Sequence, residues 1–416
     1  MTTTRPTDAE APGASVFAGS PLEEGPPVTR RDARRAHRGL TGTGEPGAPT
    51  GSGTPDSPGG ARSAHARVRG GASAGRATGV FTILVILLAG GALLSGMIGQ
   101  LYIPPAEVLG AVLRAVGLDW LPGPSHEFGA EALWEVRFPR IVLTLFVGAS
   151  LAVAGAVMQG IFGNPLAEPG TIGVSAGAAV GAAFAILNGL SFVGGFTVPL
   201  LAFLAGLVTT ILVYVLSRSN GRTEVVTLIL TGVAVNAVAG ALIAFIVFKA
   251  PTQAREQIVF WQMGSFNGSR WEQVALVVPL ALIGIVFTLF LARGLDLLAL
   301  GEKAARHLGV DVEALRLSAM ALVALLVSAA VAFVGIIAFV GLVVPHLMRI
   351  ILGPGHRLLL PASVLGGAVL MTFADLAART LIEFADLPIG MLTALIGGPY
   401  FFYLLRRSRR AAGGWA

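Results

Sequence analysis

Residues 158–178 read MQGIFGNPLAEPGTIGVSAGA and lie between two long apolar runs. Pro165 and Pro169 cannot continue an α-helix, because proline lacks the backbone N–H and its ring clashes with the preceding turn. The glycines and alanines that follow Pro169 allow helices to approach one another closely in a membrane. The segment therefore predicts one membrane helix that ends near Ile161 and a second that re-enters the membrane at once.

The composition of the whole chain supports this interpretation. Of its 416 residues, 54% are hydrophobic and 12% are charged, whereas a soluble domain carries about 25% charged residues. So few charged side chains cannot cover a water-exposed surface, which argues against a soluble enzyme, and a disordered chain would be poor in apolar residues. The chain has no Cys, which excludes disulfide frameworks, thiolate metal sites and cysteine nucleophiles.

Apolar stretches long enough to cross a bilayer, at about 20 residues each, recur from residue 80 onward. The fold class they predict is an all-α polytopic membrane protein with about ten transmembrane helices. The division of the run 315–352 into two spans rests on Gly335 alone. The predicted spans are Val80–Leu101, Ile141–Ile161, Thr171–Leu190, Phe196–Leu216, Val225–Phe248, Val274–Leu291, Leu315–Val334, Ile336–Leu352, Leu358–Ala378 and Ile389–Leu405.

The first 76 residues differ from the rest of the chain. They contain 14 Gly, 9 Pro and 10 Arg, and large apolar residues are too scarce among them to offset the entropy cost of ordering the backbone. We expect a disordered cytoplasmic tail over 1–76 and a ten-helix membrane domain over 77–416. The tail arginines either contact anionic lipid headgroups or are solvated and contribute only to orientation.

The distribution of Lys and Arg indicates the orientation, because cytoplasmic loops of membrane proteins are enriched in both. Of the 29 Lys and Arg residues, 22 fall on the tail side of the predicted spans and 7 on the opposite side. Both termini are therefore expected in the cytoplasm. The seven outer residues are Arg114, Arg137, Arg140, Lys249, Arg255, Arg270 and Arg379.

The motifs of enzyme chemistry are either missing or misplaced. The chain contains neither an HExxH zinc motif nor a GxxxxGK[ST] phosphate-binding loop. Residues 173–177 match the GxSxG pattern of hydrolases, which requires a strand-to-helix turn, but here they open an apolar span and indicate close helix packing. The six His residues lack the spacing of metal ligands. We expect no catalytic residue, metal site or cofactor, so a nucleotide that drives the protein must bind another subunit.

Several polar side chains in or beside the spans allow two interpretations each. Gln159 and Asn236 form either a hydrogen bond between helices or a contact with a transported substrate, and the first is favoured. Asp375 lies four residues before Arg379, a spacing that favours a helical ion pair. For His346, hydrogen-bonded packing is favoured over iron binding.

Nine motifs follow one another in unbroken order from about residue 80 to 407. They are Arg137-Phe-Pro-Arg140, Gln159, Asn164-Pro-Leu-Ala167, Gly173-Val-Ser-Ala-Gly177, the Leu300–Gly309 segment, Gly341-Leu-Val-Val-Pro-His346, Asp375-Leu-Ala-Ala-Arg379, Leu387-Pro-Ile-Gly390 and Gly397-Gly-Pro-Tyr-Phe401. Each motif alone is weakly specific, whereas the set in this order and spacing is strongly specific. Together the motifs resemble the permease subunits of FecCD-type ABC importers, and the tail lies outside the pattern.

The resemblance implies an ATP-driven importer permease for iron–siderophore complexes, haem or cobalamin, which is not itself an enzyme. An iron chelate is the expected cargo and cobalamin the alternative. The implied partners are cytoplasmic ABC ATPase subunits, an extracytoplasmic substrate-binding protein, a second permease subunit that is identical or paralogous, and membrane lipid, without nucleic acid. The expected location is the bacterial cytoplasmic membrane.

The resemblance also implies roles for three groups of residues. Arginines of the first group form outer pockets that receive acidic residues of the binding protein, with lipid phosphate or Asp375 as alternative partners. The second group belongs to a coupling helix that presses into the ATPase, and the third narrows the path on the cytoplasmic side, as a gate or as a structural helix break. The docking residues are Arg137, Arg140 and Arg379; the coupling residues are Leu300, Gly301, Ala304, Ala305, Leu308 and Gly309; the path residues are Gln159, Asn164, Pro165 and Leu166.

Two other classes of function stay open at this point. A secondary transporter requires ionisable residues near the membrane midplane, and their absence from the middle of the predicted spans counts against it. A non-transporting membrane scaffold would be indifferent to loss of an ATPase. From the resemblance we also predict that Arg137→Glu with Arg379→Glu abolishes uptake and leaves membrane insertion intact.

Overall fold

The computed structural model describes residues 74–219, 222–382 and 385–411, and nearly all of them are helical. The disordered tail expected over 1–76 lies outside the described residues, except that Ala74 already begins the first helix. A two-residue strand pair, Arg218–Ser219 (β1) antiparallel to Arg222–Thr223 (β2), joins two of the helices. The predicted all-α class is confirmed.

Fifteen α-helices follow one another in the described residues, and a π-helical turn over Ala132–Arg137 leads into the fourth of them. They are α1 (Ala74–Met97), α2 (Pro105–Ala115), α3 (Gly129–Glu131), α4 (Phe138–Phe162), α5 (Val174–Leu187), α6 (Thr197–Leu216), α7 (Val225–Lys249), α8 (Thr252–Met263), α9 (Trp271–Phe290), α10 (Ala292–Leu298), α11 (Glu302–His307), α12 (Val312–Val334), α13 (Val340–Leu352), α14 (His356–Thr380) and α15 (Ile389–Ala411).

Seven helical stretches of the described residues are long and apolar enough to cross a membrane, and each coincides with a predicted span. The other three predicted spans coincide with the shorter apolar helices α5, α13 and α15. Helix α5 is short because the turn after Pro169 takes up its first residues. Helix α13 is short because Gly335, with φ +75°, ends α12 and residues 335–339 are not helical.

Four helices in the connections between spans were not predicted. They are α2, α3 and α8 on the side predicted to be outer and α10 on the side predicted to be inner. A search for apolar runs of span length misses them, because each has 12 residues or fewer. They matter for function, since α10 leads directly into the predicted coupling segment.

Helix α4 is the centre of the bundle and packs against α9, α12, α13 and α14. Its closest crossings are made through glycine. A Cβ at Gly155 would lie 1.9 Å from the carbonyl oxygen of Gly341 on α13, and one at Gly148 would lie 2.4 Å from that of Gly367 on α14. Close packing also explains Gly177 of the GxSxG pattern, where a Cβ would lie 2.1 Å from Thr209 Oγ1 of α6. The packing interpretation of that pattern is confirmed.

We predict that Gly155→Ala strongly destabilises the protein, because the added methyl meets backbone that moves only if α4 and α13 separate. The expected loss is roughly 3 kcal/mol, at the upper end of the cost of overpacking. Gly90→Ala on α1 is the matched control, since nothing lies within 4 Å of its Cβ position. Melting temperatures in detergent test this, and equal values for the two variants would contradict the tight crossing.

Candidate functional site

Three arginines converge at the end of the bundle that the Lys and Arg distribution places outside. Arg137, Arg140 and Arg379 come from the start of α4 and the end of α14, and all three line one cavity of about 570 Å³. Because α4 and α14 pack along their length, residues 235 positions apart in the chain meet here. The structure thus brings the three predicted docking residues together.

Arg140 is held between two carboxylates. Its Nε donates to Asp375 Oδ1 at 3.1 Å, and its Nη2 lies 3.0 Å from the same oxygen. Its Nη1 donates to Asp386 Oδ2 at 2.9 Å. The Asp375 side chain is 2% exposed and that of Asp386 is 26% exposed, so one carboxylate is buried and the other faces the cavity.

Arg137 fastens the end of α1 to α4. Its Nη1 donates to the carbonyl oxygens of Gly96 at 2.5 Å and Met97 at 3.1 Å, and its Nη2 donates to that of Leu101. These carbonyls lie at or just beyond the C-terminus of a helix, where backbone acceptors lack intrahelical partners and a cation is favourable. Arg137 therefore has a structural function whether or not it takes part in docking.

Arg379 has one side of its guanidinium bound within the chain. Its Nη2 donates to the carbonyl oxygen and to Oγ of Ser95, at 2.6 and 2.7 Å. The expected pair with Asp375 is present, with Nε 3.9 Å from Oδ2. The main partner of Asp375 is nonetheless Arg140, which the helical spacing could not indicate because α4 and α14 are far apart in sequence.

We predict that Asp375→Asn destabilises the protein far more than Asp386→Asn does. Removing the buried Asp375 carboxylate leaves Arg140 with only the partly exposed Asp386 and leaves Arg379 without its paired carboxylate, at a cost of about 3 kcal/mol. The partly exposed pair with Asp386 contributes about 1 kcal/mol or less. Melting temperatures of the two variants in nanodiscs test this. Equal shifts would show that both carboxylates are held in the same way.

The predicted coupling segment forms a short helix, α11, with an exposed leucine at each end. Leu300 is 65% exposed and Leu308 is 58% exposed, whereas Ala305 is fully buried and Ala304 half-buried. Two of the predicted residues flank α11 and have positive φ angles, +101° at Gly301 and +83° at Gly309. Glycine adopts such angles with little strain.

An ion pair and a histidine–carboxylate hydrogen bond connect α11 and α10 to membrane helices. Glu302 of α11 accepts a hydrogen bond from Arg316 of α12. Asp296 of α10 accepts from the backbone N–H of His356 at 2.7 Å and lies 2.8 Å from His356 Nδ1, at the start of α14. These contacts connect α11 to α12 and α10 to α14.

The predicted path residues occupy the end of α4 that the Lys and Arg distribution places on the cytoplasmic side, and the turn that follows it. Gln159 and Pro165 line a cavity of about 480 Å³, together with Arg349. Gln159 is buried, donates to the carbonyl oxygens of Gly341 and Leu342 at 3.3 Å, and accepts from Arg349 Nη1 at 2.7 Å. Gln159 therefore hydrogen-bonds α4 to α13 and lines the cavity as well.

The turn itself is closed by Asn164, whose Oδ1 accepts from the backbone N–H of Leu166 at 2.9 Å. Asn164 and Pro165 are exposed and Leu166 is half-buried. Asn236 of α7 also has a structural contact, because its Nδ2 donates to the Gly170 carbonyl at 3.1 Å. The His346 ring is half-buried, 6.5 Å from that of Tyr400.

Glu168 makes a further polar contact that was not predicted from the sequence. Its Oε1 accepts from the backbone N–H of Phe339 at 2.8 Å, and Phe339 has φ +68°, alone among the non-glycine residues that the structure describes. The sequence does carry a signal, since Glu168 is the only acidic residue between 141 and 223. The carboxylate joins the turn after α4 to the start of α13.

Sequence comparison with known proteins assigns most of this chain to one family. The model of the FecCD transport family matches residues 83–407. The hemin transport system permease protein of Yersinia pestis is 41% identical over 68% of this chain and 87% of its own length. The cobalamin import system permease protein of Halobacterium salinarum is 44% identical over 65% of this chain and 72% of its own. The Fe(3+) dicitrate transport system permease protein FecD of Escherichia coli is 40% identical over 78% of this chain and 98% of its own.

A solved structure is similar over the same region. It is an inward-facing conformation of a metal-chelate type ABC transporter, which matches with a TM-score of 0.69 and 36% sequence identity. The match covers 79% of this chain and 99% of the other. The fold described above is therefore that of a transporter permease.

Proposed function

The chain belongs to the FecCD transport family, and on this premise we propose that it is the permease subunit of a bacterial ABC importer that moves an iron chelate inward across the cytoplasmic membrane. Multi-pass insertion follows from its apolar helices. ATP hydrolysis belongs to a separate cytoplasmic subunit, and a second permease subunit, identical or paralogous, completes the path.

One observation carries this proposal: the two ends of the bundle hold different candidate docking surfaces, and the same two helices connect them. Helix α14 begins at His356, which contacts Asp296 of α10, and its last turn carries Arg379, which lines the outer cavity. Helix α4 carries Arg140 in its first turn and ends beside the inner cavity that Gln159 lines. Their tight crossing at Gly148 and Gly367 makes them a rigid pair suited to transmit a switch between the two faces.

The outer cavity is suited to receive carboxylates of a binding protein. Arginine guanidinium groups form bidentate contacts with carboxylates, and three of them meet in this one cavity. All three are largely buried, so an acidic side chain of the partner must enter the cavity to reach them. Lipid phosphates are a poorer fit, because a headgroup would have to leave the membrane surface to do so.

The inner helix α11 is suited to dock in a cleft of an ATPase. The exposed Leu300 and Leu308 supply apolar contact area, and the polar contacts of Glu302 and Asp296 connect α11 and α10 to α12 and α14. We infer that the Asn164-Pro165-Leu166 turn narrows the path on this side, because Pro165 lines the inner cavity and the turn follows directly from α4.

An iron chelate is the proposed cargo because two of the relatives above are named for hemin and Fe(3+) dicitrate. The cobalamin permease among them supports cobalamin as the second candidate. The proposal is tested by purifying the tagged chain with its associated proteins and identifying the ligand of the associated binding protein by mass spectrometry and absorbance. An ATPase and an iron-loaded binding protein are expected, whereas a corrinoid ligand would replace the cargo and absence of an ATPase would overturn the proposal.

A further inference from the structure

We infer that Asp386 occupies, within the free permease, the position that a carboxylate of the binding protein takes on docking. This inference rests on the proposed docking function of the outer cavity. Asp386 then competes with the binding protein for Arg140 and fills that position in the outer cavity until the binding protein docks.

The two carboxylates on Arg140 are not equivalent. Asp375 lies on the Nε and Nη2 side of the guanidinium, and its side chain is 2% exposed. Asp386 takes Nη1, and its side chain is 26% exposed and lines the cavity. A carboxylate that enters from outside therefore meets Asp386 first and can replace only that contact, because Asp375 is sealed behind the arginine.

The exchange needs no movement of the backbone around Asp386. The next residue, Leu387, donates its N–H to the carbonyl of Ala378 at 2.9 Å, and Ile389 donates to that of Gly264 at 2.9 Å. These bonds hold the start of α15 in place. Asp386 can thus leave Arg140 by rotation of its side chain, which is partly in water already, while the partner's carboxylate takes the vacated donor.

The charges in the cavity explain why the exchange is useful to the permease. Asp375 offsets one of the three positive charges of Arg137, Arg140 and Arg379, and the positive charge that is left over in the cavity is repulsive. Asp386 stabilises the cluster when the partner is absent. Because the pair is partly exposed, it contributes little and is displaced at small cost, so docking is both specific for acidic residues and reversible.

The test measures binding of the chelate-loaded binding protein that co-purifies with the permease complex, by interferometry on complexes in nanodiscs. Asp386→Asn removes the competing charge and keeps the side-chain size. We expect the dissociation constant to fall about threefold to fivefold, the upper range for loss of one partly exposed ion pair. Asp386→Ala is expected to change it in the same direction.

The matched control is Asp119→Asn, which removes the same charge from the same side of the membrane. Asp119 is 81% exposed, pairs with Arg114 and does not line the cavity. Its effect is expected to stay below about twofold at physiological salt, because exposed charges are screened. Binding by Asp386→Asn that is unchanged, weaker, or no tighter than that of the control would overturn the inference.

The docking function itself is judged separately in the same assay. In the otherwise wild-type permease, Arg379→Gln is expected to weaken binding of the same binding protein. If it binds as well as the wild type, the outer cavity is not the docking site and the proposed function of the arginines fails. If it loses binding while Asp386→Asn is unchanged, only the exchange at Arg140 is wrong.

Discussion

Replacing Leu300 and Leu308 together by aspartate is expected to abolish uptake and to release the ATPase from the complex. Each leucine is more than half exposed in the permease alone, so the change leaves the packing of the bundle intact. A fully buried leucine contributes about 1.5–3 kcal/mol, so loss of both contacts weakens association by roughly 10²-fold or more. Size-exclusion chromatography of the complex and uptake in cells measure the two effects.

The control for this variant is Leu300→Met with Leu308→Met. Methionine keeps the apolar volume and adapts to an irregular cleft, so assembly and uptake are expected to stay near the wild type. The aspartate variant must keep the wild-type melting temperature in detergent if the leucines act only at the interface. A stable complex with ATPase attached to the aspartate variant would show that the ATPase docks elsewhere.

The second large effect is expected at the outer face, where Arg379→Gln should reduce docking of the binding protein by about 30-fold or more. Removing one member of a buried, hydrogen-bonded charge pair at an interface costs about 2–5 kcal/mol. Glutamine is shorter than arginine, and its amide nitrogen ends where Nε was, so it does not reach the Ser95 carbonyl that Nη2 contacts at 2.6 Å. The melting temperature of the variant is therefore compared with that of the wild type, which separates loss of this contact with α1 from loss of docking. The control, Arg114→Gln, removes an outer arginine that does not line the cavity.

The structure refines the prediction that the resemblance gave for the double variant. Arg137→Glu with Arg379→Glu is still expected to abolish uptake. The structure adds that a glutamate at 137 would face three backbone carbonyls at the end of α1, so part of the loss would come from disturbed packing. Binding that is equal for Arg379→Gln and Arg114→Gln would contradict the docking account.

The helices were predictable because their signal is local. An apolar run of about 20 residues needs no knowledge of its neighbours, and Pro165, Pro169 and Gly335 break helices by their own chemistry. The bounds of α5 and α13 were less predictable, because the turn at Pro169–Ile172 and the extended residues after Gly335 depend on contacts with other elements.

The site was predictable in its residues but not in its contacts. The arginines stood out because they lie on the side of the membrane that is poor in positive charge. Their partners did not stand out, since Arg140 meets Asp375 and Asp386 only through the packing of α4 against α14. Glu168 was not predicted, because ionisable residues were sought in the middle of the predicted spans and Glu168 lies between two of them.

The central claim is that this chain couples docking outside to ATP hydrolysis inside, and uptake into proteoliposomes tests it most directly. The permease complex is reconstituted with ATP in the lumen, and the loaded binding protein carrying ⁵⁵Fe chelate is added outside, with ion gradients collapsed by ionophores. The account predicts uptake that requires both ATP and the binding protein and that persists without gradients. Uptake that continues without ATP but stops when the gradients collapse would contradict it and would identify a secondary transporter.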